Sequence, residues 1–307
     1  MLKNLLLLFT VTLLINSCSL NQPTQPEVAI DTFVPPAPPP TGKGIQLILG
    51  PFDIEKYSER EVYMFKNLVN TDSLFLDSIS IVMKGFSHHF ILYKYTGSDV
   101  SENVLRDLHT NGILNILEAQ RTLNRKFVFG AQTPSAYFKL PNNVTLPLKP
   151  NFGMDLNSHF VNATGGKMSG QVWVNLYTRP KIGSSKVAIP IFHNNTSFVL
   201  PAQKITTISG TYLFPQKINL FNLTSHAHKR NTNFKIYLKG GSRDGELVYE
   251  SKDWHNPPLV SFDPPLVVEA GQGYRYEAIY NNETSGTKSF GVTSEDEMCI
   301  VIGYYYQ

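Results

Sequence analysis

The 307-residue chain is 42 % hydrophobic, 17 % charged and 12 % aromatic, a balance that supports a folded core and excludes intrinsic disorder. The net charge of +3, with Lys and Arg scattered along the chain, excludes a basic nucleic-acid stripe. Two cysteines exclude a disulfide scaffold, a four-thiolate zinc site and an iron–sulfur cluster.

The N-terminus carries one early charge, Lys3, an apolar run from Leu5 to Ile15, and then Asn16-Ser17-Cys18. Such a run is too short to span a bilayer, which takes ~20 residues, and it predicts a signal peptide over 1–17. Cys18 after Ile15-Asn16-Ser17 resembles a bacterial lipobox, so Cys18 is expected to be the lipidated first residue of an exported, membrane-anchored lipoprotein. Residues 18–44, with Pro35-Pro36-Ala37-Pro38-Pro39-Pro40, then read as a stiff linker that lifts the folded part off the membrane. Sequons such as Asn162-Ala163-Thr164 and Asn282-Glu283-Thr284 read as turn chemistry.

Beyond Val62, short segments rich in β-branched and aromatic residues recur between Gly, Asn, Asp and Pro: 74–83, 90–95, 171–177, 234–238, 266–268 and 274–280. They predict an all-β chain of antiparallel sandwiches. The stretch from Val104 to Leu117 lacks a period of two and predicts a small helical or irregular insertion in the first half. The polar run at 178–185 suggests a junction between domains at 45–180 and 181–307.

Eight histidines carry the chemical signal. In His226-Ala227-His228 the i, i+2 spacing sends both imidazoles from one face of a strand. Adjacent His88 and His89 point to opposite faces of a regular strand and share a metal only at a strand end or a bulge. Each pair is followed about 70 residues later by a further donor, His159 and Met298 respectively. The first set is three imidazoles; the second is two imidazoles and a thioether, which as a soft donor selects Cu(I). His109, His193 and His255 read as surface or hydrogen-bonded structural residues, and Asp296-Glu297 as loop carboxylates that either support a metal strand or are solvated. No nucleophile elbow, phosphate loop, dinucleotide fingerprint or His-Glu-x-x-His motif occurs.

Asp296-Glu297-Met298-Cys299 followed by Gly303-Tyr304-Tyr305 resembles the signature of the type II copper, ascorbate-dependent monooxygenases, a family that includes the peptidylglycine α-hydroxylating and dopamine β-hydroxylating enzymes. His88-His89, Asn157-Ser158-His159 and His226-Ala227-His228 resemble its other motifs, in the family's order, over roughly residues 60–305. The resemblance implies two jelly-roll-like antiparallel β-sandwich domains facing each other across a solvent cleft, with one copper on each. It implies two coppers per chain. One, on His88, His89 and His159, relays an electron from ascorbate or another one-electron reductant. The other, on His226, His228 and Met298, is where dioxygen is used to hydroxylate a C–H bond of a small-molecule substrate. The chain departs from the amidating branch at Thr224, where that branch has a carboxylate-clamping arginine, and at Ile300, Ile302, Asn157 and Phe90; Cys299 lacks its disulfide partner. Peptide amidation is therefore not expected, and a neutral or apolar substrate is. The competing readings are a copper-binding lipoprotein for metal sequestration or delivery, and a β-sandwich adhesion or sugar-binding lipoprotein with incidental histidines.

Overall fold

The computed structural model describes residues 33–84, 87–180, 183, 185–293 and 295–307. The signal segment and Cys18 lie outside the described residues. Residues Met1–Val34 and Pro35–Gln307 form separate units, and every sheet belongs to the second. That unit is almost wholly β, and Ile116–Gln120 is the one α-helix among the described residues.

All six expected strand segments are strands. The sheets divide by chain half. In residues 44–187, one sheet runs in the order Gly44–Ile54, Met168–Arg179, Leu74–Lys84, Val144–Leu148, Lys186–Val187, with Ser135–Lys139 also on Leu74–Lys84. The other runs Leu105–Asp107, Ser58–Leu68, Phe152–Asn162, Ser87–Tyr95, Arg125–Ala131. In residues 189–306 the corresponding sheets are Ile189–Asn194, Cys299–Tyr306, Ile218–Ala227, Val260–Val268 and Lys204–Leu213, Gly273–Asn282, Asn231–Lys239, Leu247–Ser251. Counted within each half, the order of pairing is the same. Lys186–Val187 still pairs with Val144–Leu148, so pairing passes to the second half around Ala188, beyond the expected junction at 180–181.

Alternation explains the strands. In Gly273–Asn282, Tyr274, Tyr276, Ala278, Tyr280 and Asn282 are buried while Arg275, Glu277, Ile279 and Asn281 are less so. Strand Phe152–Asn162 breaks this rule, because it is buried on both faces. Met154, Leu156 and Phe160 enter the sandwich core, whereas Asp155, Asn157 and His159 lie on the opposite face and are equally buried. That second face is covered by the 96–124 insertion and by the second half of the chain, and it carries a cluster of histidines.

The halves are joined through aromatic packing. Phe221 and Tyr304 of the second half belong to the core of the first. Phe127 stacks on Phe192 with ring centroids 4.8 Å apart, Phe138 lies 5.2 Å from Tyr304, and the Tyr304 hydroxyl donates to the Val128 carbonyl.

The proline-rich tail is not free spacer throughout. Gln46 Nε2 donates to Pro36 O at 3.0 Å and Asn175 Nδ2 to Ala37 O at 2.9 Å, fixing that end of the tail along the sheet edge. Gly44 allows this, because a Cβ there would lie 2.2 Å from Leu176 O and 2.9 Å from Pro39.

Asn162 and Asn282 occupy matching turns. Each is buried and donates from Nδ2 to two carbonyls of a neighbouring segment and one four residues on: Ile54, Glu55 and Gly166, against Leu200, Pro201 and Gly286. Each Oδ1 accepts from the backbone and hydroxyl of Thr164 or Thr284. These sequons are turn chemistry, as expected. Removing either amide strands several carbonyls at sites closed to water. Asn162→Ala and Asn282→Ala are each predicted to destabilise by roughly 2–4 kcal/mol, near-additively, in chemical denaturation. A loss below about 0.5 kcal/mol for either would refute the role assigned to these turns.

Candidate metal centre

The site grows out of two facing sheet surfaces. On the first-half sheet, Glu61, His159 and His89 stand in one cross-strand row, and Tyr63, Asn157 and Ile91 in the next. On the second-half sheet, His226, Ile300 and Asn194 form one row, and Thr224, Ile302 and Phe192 the next. Residues from all four rows line one cavity of about 170 Å³, and the stacked Phe127 and Phe192 rings are part of that lining.

His88 and His89 reach this surface through a bulge. His159 pairs with His89 but Phe160 with Ser87, so His88 is the extra residue in the ladder. The bulge brings the two Nδ1 atoms to 3.2 Å. Ring nitrogens of His88, His89 and His159 all lie within 4.8 Å of one another, and all three residues are buried. His226 lies near the end of strand Ile218–Ala227 and His228 follows it; their rings converge to 5.2 Å, as the i, i+2 spacing predicts.

The two sets do not face each other across a solvent cleft. His88 lies 5.9 Å from His226 and 5.7 Å from His228, and His89 lies 5.5 Å from His226, centroid to centroid. All five imidazoles are buried in one cluster. The physical reason is the joined sandwich faces, reinforced by Gln132. Its Nε2 donates to Ser225 O at 2.9 Å, which turns Oε1 toward His226 Nδ1 at 2.6 Å.

Hydrogen bonds assign the ring nitrogens. Nδ1 of His226 is held by Gln132, and Nδ1 of His228 donates to Asp296 O at 3.1 Å. Both second-half rings thus keep Nε2 for a ligand, and His228 Nε2 is buried without a partner among the described residues. His159 is the reverse: Nε2 meets Glu59 Oε2 at 3.0 Å and Nδ1 is the buried, unpartnered atom. This is the outer hydrogen bonding that fixes tautomer and ring direction at histidine metal sites. Glu297, fully buried, accepts from the backbone N–H groups of His228 and Arg230 and pairs with the Arg230 guanidinium. The Glu297 carboxylate thus holds the His228 backbone and the Asp296 carbonyl its ring, while the Asp296 carboxylate accepts from Thr293.

Met298 lines the cavity alongside His89 and His226, and its carbonyl accepts from the Tyr280 hydroxyl at 2.6 Å. Thr224, Ile300, Ile302, Asn157 and Phe90 line the same cavity, and Phe90 is also fully buried in the first-half core. Cys299 is a free, buried thiol that burial pushes up to about 11, so it is inert. His193 is structural, bonded to Tyr274 and lying over Tyr212. His255 is exposed, yet its ring is 6.1 Å from His88, with Trp254 5.8 Å from the same ring.

Glu59, Gln132 and Glu61 are functional neighbours that sequence reasoning does not single out. Glu61 is the one carboxylate lining the cavity among the described residues, and it accepts from Asn157 Nδ2 at 3.0 Å and from the Tyr63 hydroxyl at 3.2 Å. Of these, Glu61 is accessible in principle, since its i, i+2 spacing from Tyr63 puts both on one face of a strand.

No protein-family model matches the chain, and no curated protein matches it. Among solved structures it is similar to the major capsid protein P2 of bacteriophage PM2, with TM-score 0.35, 10 % identity, and coverage of 85 % of this chain and 97 % of that one. It is similar to the STIV MCP, with TM-score 0.37, 10 % identity, and coverage of 86 % and 97 %. It is also similar to PNGase F, a glycosylasparaginase from Flavobacterium meningosepticum, with TM-score 0.33, 9 % identity, and coverage of 86 % and 96 %. Likenesses at this level assign no function.

Burial pushes the His88 imidazole down to about 3 and that of His228 to about 4, and it holds His89 and His226 well below the ordinary value of 6.5; neighbouring imidazoles add to the effect at each. These rings are neutral when folded and take up protons on unfolding below pH 6.5. The metal-free protein is therefore predicted to lose stability as pH falls from 6.5 towards 4, with roughly 1 kcal/mol per pH unit for each ring. Above pH 6.5 they contribute no pH dependence. Chelator-treated protein whose melting temperature stays flat between pH 7 and 5 would contradict this.

Proposed function

We propose that the chain is a copper-dependent monooxygenase of two jelly-roll-like domains, holding two coppers and using dioxygen and an external one-electron reductant to hydroxylate a C–H bond of a small molecule. The observation that carries this reading is the split of ring nitrogens: Nδ1 left open on His159 beside the Nδ1 pair of His88 and His89, Nε2 left open on His226 and His228. Each set thus offers imidazole nitrogens to a metal, with His159 Nδ1 in one and His228 Nε2 in the other buried and unpartnered among the described residues, and imidazole with a thioether suits copper. When bound, copper supplies one-electron redox chemistry and the activation of dioxygen.

The chain's own residues do the rest. Gln132, Glu59 and the Asp296 carbonyl orient the rings of His226, His159 and His228 for binding. Ile300, Ile302, Phe127 and Phe192 keep water from the cavity beside His226 and Met298. Thr224 offers no charge to a carboxylate, which disfavours a peptide C-terminus. Glu61 and Asn157 provide the polar contact, and they fit an otherwise apolar substrate that donates a hydrogen bond.

A second reading, copper sequestration or delivery without hydroxylation, draws support from the burial of all five imidazoles in one cluster. Reductant-dependent oxygen uptake by the copper-loaded protein across a substrate panel separates the two.

Copper loading followed by dialysis is expected to leave two coppers per chain. None, or zinc preferred at both sites, sinks the proposal. Met298→Leu conserves volume, so its fold cost is expected below about 1.5 kcal/mol. The same change is predicted to lower Cu(I) affinity at the His226–His228 site and to abolish oxygen uptake while the three-histidine copper stays bound and reducible. Unchanged Cu(I) affinity and X-ray absorption at copper would remove Met298 from the ligand set.

A further inference from the structure

Five buried imidazoles pose a problem of access. A hydrated metal ion cannot reach them in one step, because shedding its water before a ligand replaces it is too costly. Entry has to proceed donor by donor. The donors are spaced for this. The His88 ring lies 5.4, 5.5, 5.9 and 5.7 Å from those of His89, His159, His226 and His228, so one imidazole neighbours every member of both sets. His88 is also the most exposed of the five, at 8 %.

The second half supplies what stands against His88. Between strands Leu247–Ser251 and Val260–Val268 the chain runs Lys252-Asp253-Trp254-His255-Asn256-Pro257-Pro258-Leu259. Trp254 is half-buried, its ring 5.8 Å from that of His88 at an angle of 32°. His255 is exposed, its ring 6.1 Å away. Rings within each set are spaced 5.2 to 5.5 Å, so His255 stands little further from His88 than one ligand does from the next. Among the described residues it is the one exposed imidazole within that reach of the cluster.

The turn holds this ring without depending on it. Asp253 Oδ1 accepts from the backbone N–H groups of His255 at 2.9 Å and Asn256 at 3.1 Å, and Ser251 Oγ donates to Asp253 O at 2.8 Å. Asn256 Nδ2 lies 3.0 Å from His255 Nδ1, and Pro257-Pro258 stiffen the chain beyond. Asp253 and Ser251 close the turn and need no imidazole at 255.

We propose that His255 is the entry ligand of this centre: it captures Cu(I) from solution and hands it to His88, through which both sets are filled. Trp254 shields His88 between transfers. The inference rests on the copper reading above and adds a route to it, leaving the resident ligands as they are. Each exchange replaces one donor by another at constant oxidation state, so no electron donor or acceptor is needed.

The test uses the metal-free mature chain with Cys18→Ser, so that no thiol there takes up Cu(I). The probe is Cu(I) held by bathocuproine disulfonate, whose loss of colour reports transfer. The wild-type site is expected to take two coppers. His255→Ala should slow uptake of both at least about tenfold, with stoichiometry kept and Cu(I) affinities within about twofold. Removal by excess chelator should slow by the same factor, because a shared path slows entry and exit together when affinity is unchanged. A resident ligand behaves oppositely, since its loss weakens affinity and speeds release. His255→Met restores a soft donor and should recover most of the rate. Unchanged uptake of either copper, faster release from His255→Ala, or no recovery in His255→Met would each overturn the proposal and leave the copper reading standing. A protein with His255 intact that retains no copper would remove both.

Discussion

The structure depends on a sheet buried on both faces. A strand in an ordinary sandwich places every second residue in water, where polar groups need no partner. In Phe152–Asn162 that option is closed, and the outward positions Asp155, Asn157 and His159 must each be satisfied by protein. Three solutions lie along one strand. Asp155 is neutralised by Arg106 and Arg125, Asn157 bonds Glu61 and the Val62 carbonyl, and His159 meets Glu59 through one nitrogen only. The nitrogen left over on His159 is what makes a structural problem a candidate ligand site.

Coverage of that face comes from two directions, and each gives a different chemistry. The insertion covers the Asp155 end with charge and so fixes the segment that carries Leu117 and Leu123. The second half covers the His159 end with a β-surface of its own, and the two sheets together line a largely apolar cavity that His89 and His226 reach. Low polarity there keeps the rings neutral, the form that binds metal, and strengthens each hydrogen bond that orients them.

Much of this is legible in the sequence. Richness in β-branched and aromatic residues between turn formers locates six of the strands, and the His226–His228 spacing gives the convergence of those rings. The requirement for a bulge at His88–His89 follows from the geometry of a strand. Other features stay hidden because they depend on which surfaces meet. Gln132 and Glu59 carry no local signature, and become orienting groups only when strands distant in sequence are juxtaposed. The expected cleft fails for the same reason: nothing local in Phe192, Phe127 or Tyr304 says that these aromatics seal one sandwich onto the other. His255 reads as a surface residue and is exposed, but it happens to lie beside His88.

The repeated strand order shows that the framework alone does not make the site. Asn162 and Asn282 close matching turns at the ends of matching strands, so Asp155, Asn157 and His159 correspond to Arg275, Glu277 and Ile279. In the second half these positions are only partly covered, and Arg275 simply pairs with Glu277 along the strand. Charge there is solvated and needs no buried partner. The same eight-strand arrangement thus holds a surface ion pair where one face stays near water, and a histidine cluster where a second sandwich closes over it. What distinguishes the two is coverage, and coverage is set by Gln132, the Phe127–Phe192 stack and the Tyr304 hydroxyl rather than by the histidines themselves.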